Sequence, residues 1–136
     1  MFSHVTVGTR NLQASACFYD AVLQPMGLIR RQVDTHPGGV ESVCWVAPNS
    51  PLPRFYVYMP FDRQPASAGN GSMVAFRAPT KAAVDFAYHA GLAAGGLDEG
   101  KPAERQHYGA GYYGAYLRDP DGNKVHMVYR GDLADA

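Results

Sequence analysis

The sequence predicts an α+β fold made of two copies of one β-α-β-β-β module, which together form a curled mixed sheet around a groove. Three observations carry that expectation. Short alternating segments rich in valine and tyrosine surround two alanine-rich segments with helical spacing, glycine, proline or asparagine punctuates the boundaries, and the two halves of the chain match without a gap. At a constant shift of 69 positions, Val5 falls on Val74, Ala14 on Ala83, Tyr19 on Tyr88, Ala21 on Ala90, Leu23 on Leu92, Gly27 on Gly96 and Leu28 on Leu97. The identities cover a strand, a helix and both helix stops, which is the mark of an internal duplication. A module whose sheet is covered on one face only should pair with its copy and leave a concave groove as the natural ligand site.

Phe2 to Gly8 alternates as the first strand, with Phe2, His4 and Thr6 on one face and Ser3, Val5 and Val7 on the other. Thr9 or Asn11 can cap the next segment, a helix to about Gln24 whose stripe is Leu12, Ala16, Tyr19 and Leu23. Pro25 and Gly27 stop it. Leu28 to Asp34, Glu41 to Ala47 and Arg54 to Met59 then read as strands, separated by His36-Pro37-Gly38-Gly39 and by the proline-rich run from Pro48 to Pro53. The chain is therefore one domain, residues 1–136, with a first module over 1–60, a polar linker over 61–70 and a second module over 71–136.

The second module opens with a strand from Gly71 to Ala78 and a helix from Thr80 to about Gly95, where Gly95-Gly96 stops it. Leu97 to Gly111, rich in glycine and proline, is expected to hold at most one short strand. Tyr112 to Arg118 and Lys124 to Arg130 are paired antiparallel strands joined by the turn Asp119-Pro120-Asp121-Gly122-Asn123, where proline fixes φ and glycine permits φ > 0.

Twelve basic and twelve acidic residues give a net charge of zero, and no basic cluster tracks a phosphate backbone, so nucleic acid is not an expected partner. No apolar run reaches the length of a membrane span, and Met1-Phe2-Ser3-His4-Val5 lacks the basic start and apolar centre of a signal peptide. A cytoplasmic protein without membrane association is expected. Cys17 and Cys44 have neither CxxC spacing nor disulfide-scaffold density and read as reduced, buried thiols.

The duplicated β-α-β-β-β pattern, Phe2-Ser3-His4-Val5, Phe18-Tyr19, Gly71-Ser72-Met73-Val74-Ala75-Phe76 and the Asp119 to Asn123 turn together resemble the vicinal oxygen chelate superfamily. That superfamily includes glyoxalase I, bleomycin and fosfomycin resistance proteins and extradiol dioxygenases. Its metal-dependent members bind an ion through side chains of strands one, four, five and eight, usually histidines and glutamates, and coordinate adjacent oxygens of the substrate. Carried onto this chain, the resemblance places the first ligand on His4 and the eighth-strand ligand on His126. The fourth-strand position lies near Tyr56, Val57 or Tyr58, and the fifth-strand position falls on Met73. Two imidazoles without a carboxylate form a degenerate site for a divalent metal (Zn, Ni, Mn or Fe), because catalytic sites usually supply three protein ligands. No nucleotide cofactor is expected.

The resemblance thus implies a glyoxalase-like small-molecule enzyme, of lyase, isomerase or dioxygenase type, acting on a compound with vicinal oxygens. His4 and His126 would serve as metal ligands or as catalytic acid-base groups. The alternative is a metal-independent protein that sequesters a small-molecule ligand, as bleomycin resistance proteins do. Tyr56, Tyr58, Met73, His107, Tyr108, Tyr112 and Tyr116 are the expected substrate contacts. His36 reads as a solvated turn residue and His89 as a helix-face residue, while Arg54 is either a strand-end arginine or an anchor for an anion. The superfamily also implies a homodimer.

Overall fold

The computed structural model describes residues 1–133; residues 134–136, the end of the expected second module, lie outside the described residues. The first half contains β1 (His4–Gly8), α1 (Leu12–Leu23), β2 (Ile29–Arg31), β3 (Ser42–Val46) and β4 (Arg54–Tyr58). The second repeats that order with β5 (Val74–Arg77), α2 (Lys81–Ala93), β6 (Leu97–Glu104), β7 (Tyr112–Arg118) and β8 (Lys124–Arg130), with a 3₁₀ turn at Gln106–Tyr108. Each half makes its own four-stranded mixed sheet, in the orders β1-β4-β3-β2 and β5-β8-β7-β6. The curl expected of one sheet is thus divided between two open ones, with β1 and β5 as outer strands.

The helices start where a side chain can satisfy free backbone N–H groups: Asn11 accepts from the Ala14 N–H, and Thr80 from the Ala83 N–H. Of the two expected caps for α1, Asn11 therefore fills the position, while Thr9 supports the loop by accepting from the Asn11 N–H. The buried face of α1 is Ser15, Ala16, Phe18, Tyr19, Val22 and Leu23. Cys17 falls off that stripe and is exposed, which corrects the expectation of a buried thiol, whereas Cys44 is buried in β3. β6 is longer than its glycines and proline suggest. Register shifts between Asp98 and Gly100, and between Gly100 and Ala103, take up the irregular residues as bulges while pairing with β7 continues.

One core joins the halves. Phe18, Tyr19, Val22 and Leu23 of α1 meet Val84, Ala87 and Tyr88 of α2, with Trp45, Phe55 and Val57 from the first sheet and Phe76, Leu117, Val125 and Met127 from the second. At Gly91 α2 packs tightly against α1 and β7: a Cβ there would lie 2.5 Å from Leu117, 2.9 Å from Val22 and 3.3 Å from Phe18. Val22 and Gly91 are equivalent positions under the 69-residue shift, so a branched side chain from one copy fills the space that its counterpart leaves open.

The Asp119 to Asn123 turn fastens the second half to the first. Asp119, 2% exposed, accepts a 2.7 Å bond from the Tyr19 hydroxyl and three more from the Asp121 N–H, the Asn123 N–H and the Asn123 amide. Asp121 accepts from the Thr9 hydroxyl at 2.5 Å and the Arg10 N–H at 2.8 Å, and the Asn123 amide donates to the Gly8 carbonyl. Burial, then the Asp119 carboxylate, push the Tyr19 hydroxyl far above its ordinary pKa, so it remains a donor. Its counterpart Tyr88 bonds only locally, to Asp98 of β6, in a less buried setting. Tyr19→Phe is accordingly expected to cost about 1.5–3 kcal/mol in urea unfolding, and Tyr88→Phe roughly 1 kcal/mol or less. Equal losses in the two variants would remove the special standing of the turn.

Candidate functional site

The sheet faces that turn away from the helices carry the candidate residues, because alternation sends Val5, Phe55 and Val57 inward and their neighbours outward. On the first sheet, parallel pairing of β1 with β4 aligns His4 with Arg54, Thr6 with Tyr56 and Gly8 with Tyr58, and antiparallel pairing with β3 aligns Ser42 with Tyr58 and Cys44 with Tyr56. The result is an open cavity of about 260 Å³ lined by His4, Thr6, Val40, Ser42, Tyr56 and Tyr58. The His4 and Tyr56 rings meet edge to face at 5.7 Å, Ser3 Oγ lies 3.0 Å from His4 Nδ1, and Arg54 donates to the Tyr56 hydroxyl at 3.3 Å. Burial pushes the Cys44 thiol pKa up, so this cysteine behind Tyr56 is not an activated nucleophile.

On the second sheet the same register gives a different surface. Ala75 aligns with His126, as Thr6 aligns with Tyr56, and Tyr116 aligns with His126, as Cys44 does with Tyr56. His126 is therefore the counterpart of Tyr56. It is only 1% exposed. Its ring stacks on Tyr116 at 4.0 Å with 8° between planes, and lies 5.8 Å from the Tyr112 ring on a second side. Nδ1 is 2.9 Å from the Ala115 carbonyl and Nε2 is 2.8 Å from the Tyr112 hydroxyl. A carbonyl can only accept, so Nδ1 carries the proton and the neutral ring accepts from Tyr112 through Nε2. Gly114 makes room for this ring: a Cβ there would lie 2.5 Å from His126 Cε1.

Desolvation lowers the His126 pKa below its ordinary 6.5; the Ala115 hydrogen bond opposes the shift, and Arg105, Lys124 and Arg130 reinforce it. Burial likewise raises the Tyr112 and Tyr116 hydroxyls. Arg105 and Lys124 sit over the Tyr116 ring at 5.3 and 5.0 Å, and Arg130 over Tyr112 at 5.1 Å. Tyr108 packs on Tyr112 at 5.1 Å and His107 on Tyr108 at 4.0 Å.

The sequence-expected residues thus divide into two groups. His4, Tyr56 and Tyr58 come together on the first sheet, while His107, Tyr108, Tyr112, Tyr116 and His126 form one contiguous aromatic cluster on the second. Met73 just precedes β5 and is 44% exposed. Sequence reasoning passed over Ser42 and Val40 as cavity walls and Gly114 as the seat of His126, although a glycine inside a strand is a recognised sign of close approach.

The donor set does not fit a resident divalent ion. His126 would have to give up Tyr112 to offer Nε2, and its other nitrogen is held by a carbonyl. The lining of the His4 cavity contains no carboxylate. Among the described residues, no three His, Cys, Asp or Glu side chains come together as a metal-binding group.

The Glyoxalase/Bleomycin resistance protein/Dioxygenase superfamily profile matches residues 1–127. A glyoxalase/bleomycin resistance protein from Albidiferax ferrireducens shares 36% identity over 96% of this chain and 98% of its own, with a TM-score of 0.80. A glyoxalase-related enzyme from Fulvimarina pelagi has 20% identity over 96% of this chain and 88% of its own, with a TM-score of 0.69. Lactoylglutathione lyase from Agrobacterium tumefaciens has 22% identity over 100% of this chain and 97% of its own, with a TM-score of 0.64. At their levels of identity the latter two share the fold alone. No curated protein matches the chain. Among the described residues no helix is long and apolar enough to cross a membrane.

Because the folded His126 binds its proton less readily than the unfolded chain, its contribution to stability is complete above about pH 6.5 and is lost as the pH falls below that value toward the folded pKa. The expected slope from this group is at most about 1.4 kcal/mol per pH unit, read as the difference in acid sensitivity between the native protein and His126→Asn in denaturant titrations. Gly114→Ala should cost about 1–3 kcal/mol through displacement of the ring; an unchanged midpoint would mean the ring can move freely.

Proposed function

The chain belongs to the glyoxalase/bleomycin resistance protein/dioxygenase superfamily, and from that premise we propose a glyoxalase-like protein that holds a small, oxygen-bearing molecule against the first-sheet cavity without a resident divalent metal. The observation that carries this reading is the lining itself. Thr6, Ser42, Tyr56 and Tyr58 offer hydroxyl groups, and Tyr56, Tyr58 and His4 offer ring surfaces, in an open space of about 260 Å³. Hydroxyls that can donate or accept suit adjacent ligand oxygens, and aromatic rings suit a flat apolar body, so recognition needs no Lewis acid. The second sheet supports this assignment by contrast, since at its equivalent position His126 has both nitrogens engaged and is closed from water.

A second reading, acid-base chemistry at the same cavity, is favoured by one feature. His4 is exposed, its Nδ1 is engaged by Ser3, and among the described residues Nε2 has no hydrogen-bond partner. With Nδ1 held by a hydroxyl, the free nitrogen is the one that could take or give a proton to a bound ligand.

Catechol, with two adjacent oxygens on one ring, is a suitable probe. Calorimetric binding of catechol is expected to survive exhaustive EDTA treatment, and Tyr56→Phe to weaken it about three- to tenfold, the worth of one hydrogen bond. Loss of binding on metal removal would overturn the metal-free reading. Conversion of a glutathione hemithioacetal that disappears in His4→Ala while catechol affinity stays within about twofold would select the acid-base reading over sequestration alone.

A further inference from the structure

We infer that the seam between the two sheets is a second ligand site, lined by residues other than those of the Tyr56–Tyr58 cavity and touching it only through the Arg54–Tyr56 hydrogen bond, and that it takes an amphipathic carboxylate with a compact apolar body. β1 and β5 are each one of the two outer strands of their sheet, and neither pairs with the other. Between them lies a cavity of about 260 Å³ walled by Val5, Trp45 and Phe55 from the first half and by Val74 and Phe76 from the second. Val5 and Val74 are equivalent under the 69-residue shift, so the cavity sits where the two copies of the module face each other. Phe55 and Phe76 pack edge to face at 5.0 Å and join the two walls. Phe2 also lines the cavity, yet is 77% exposed, a large apolar side chain left in water beside an apolar space.

The lining contains a single charged side chain, that of Arg54. Its Nε donates to the Pro51 carbonyl and its Nη1 to the Tyr56 hydroxyl, and among the described residues no carboxylate pairs with it. Apolar walls stabilise a desolvated body without supplying hydrogen bonds, and a guanidinium anchored by two neutral acceptors retains donors for one carboxylate. The volume suits one substituted aromatic ring. The apolar walls, Val5, Trp45, Phe55, Val74 and Phe76, belong to the helix-facing core side of the sheets, whereas Arg54, in register with His4, reaches the cavity from the Tyr56 face and bonds the Tyr56 hydroxyl.

The chain supplies its own reporter, because Trp45 is its only tryptophan and forms part of the cavity wall. Titration with para-tert-butylbenzoate is expected to change Trp45 fluorescence saturably, and the neutral para-tert-butylbenzyl alcohol to bind about tenfold more weakly. In Arg54→Met the two probes should come within about twofold of each other. Val74→Phe should fill the space and remove the benzoate response while calorimetric catechol binding persists; if that variant does not fold, the Arg54→Met comparison decides. No saturable response, equal affinity of acid and alcohol in the native protein, or an acid preference that survives Arg54→Met would each overturn the proposal. Failure of catechol to bind leaves this outcome unaffected, so the two sites are judged separately.

Discussion

The Asp119 carboxylate is closed off from water, and such a group is tolerated only when its lone pairs are met by donors. Three of its four hydrogen bonds come from its own turn and one from Tyr19 on the other half of the chain. That single outside donor ties the β7–β8 hairpin to α1, and Asp121 and Asn123 extend the tie to Gly8, Thr9 and Arg10 at the β1–α1 junction. Strand register then transmits the position of the turn along β8 to His126 and along β7 to Tyr112 and Tyr116. The aromatic cluster of the second sheet is thus built outward from one satisfied carboxylate.

Duplication gave the protein two copies of one sheet face, and side-chain volume separated their uses. In the first copy Cys44 is small and buried beside Tyr56, and Thr6 and Ser42 leave space above the sheet. In the second, Tyr116 and Tyr112 close over His126 while three cations cover the rings. A buried, hydrogen-bonded imidazole of this kind fixes structure. His4, by contrast, is exposed and held at Nδ1 by Ser3, and among the described residues its Nε2 has no hydrogen-bond partner.

Much of the fold was legible because its signals are local. Alternation, the stops at Gly27 and Gly96 and the turn at Asp119 act through nearest neighbours, and the 69-residue shift needs no structure at all. The length of β6 was hidden because bulges allow glycine and proline inside a paired strand. The site was less legible for a different reason. Histidine at positions 4 and 126 suggests a pair, but what each imidazole does depends on Ser3, Tyr112, Ala115 and Gly114, and those partners are set by register and close packing. Cys17 illustrates the same limit on a smaller scale, since a shift of one position around a helix separates core from solvent.

The pairing of Val22 with Gly91 has a historical consequence. Two identical modules would bring valine against valine, or glycine against glycine, where α1 and α2 pack at this position; the first crowds the contact and the second leaves a hole. Once one copy had enlarged this residue and the other reduced it, neither half could return to partnering a duplicate of itself without repacking. The valine–glycine pairing thus makes the two halves complementary to each other and not interchangeable.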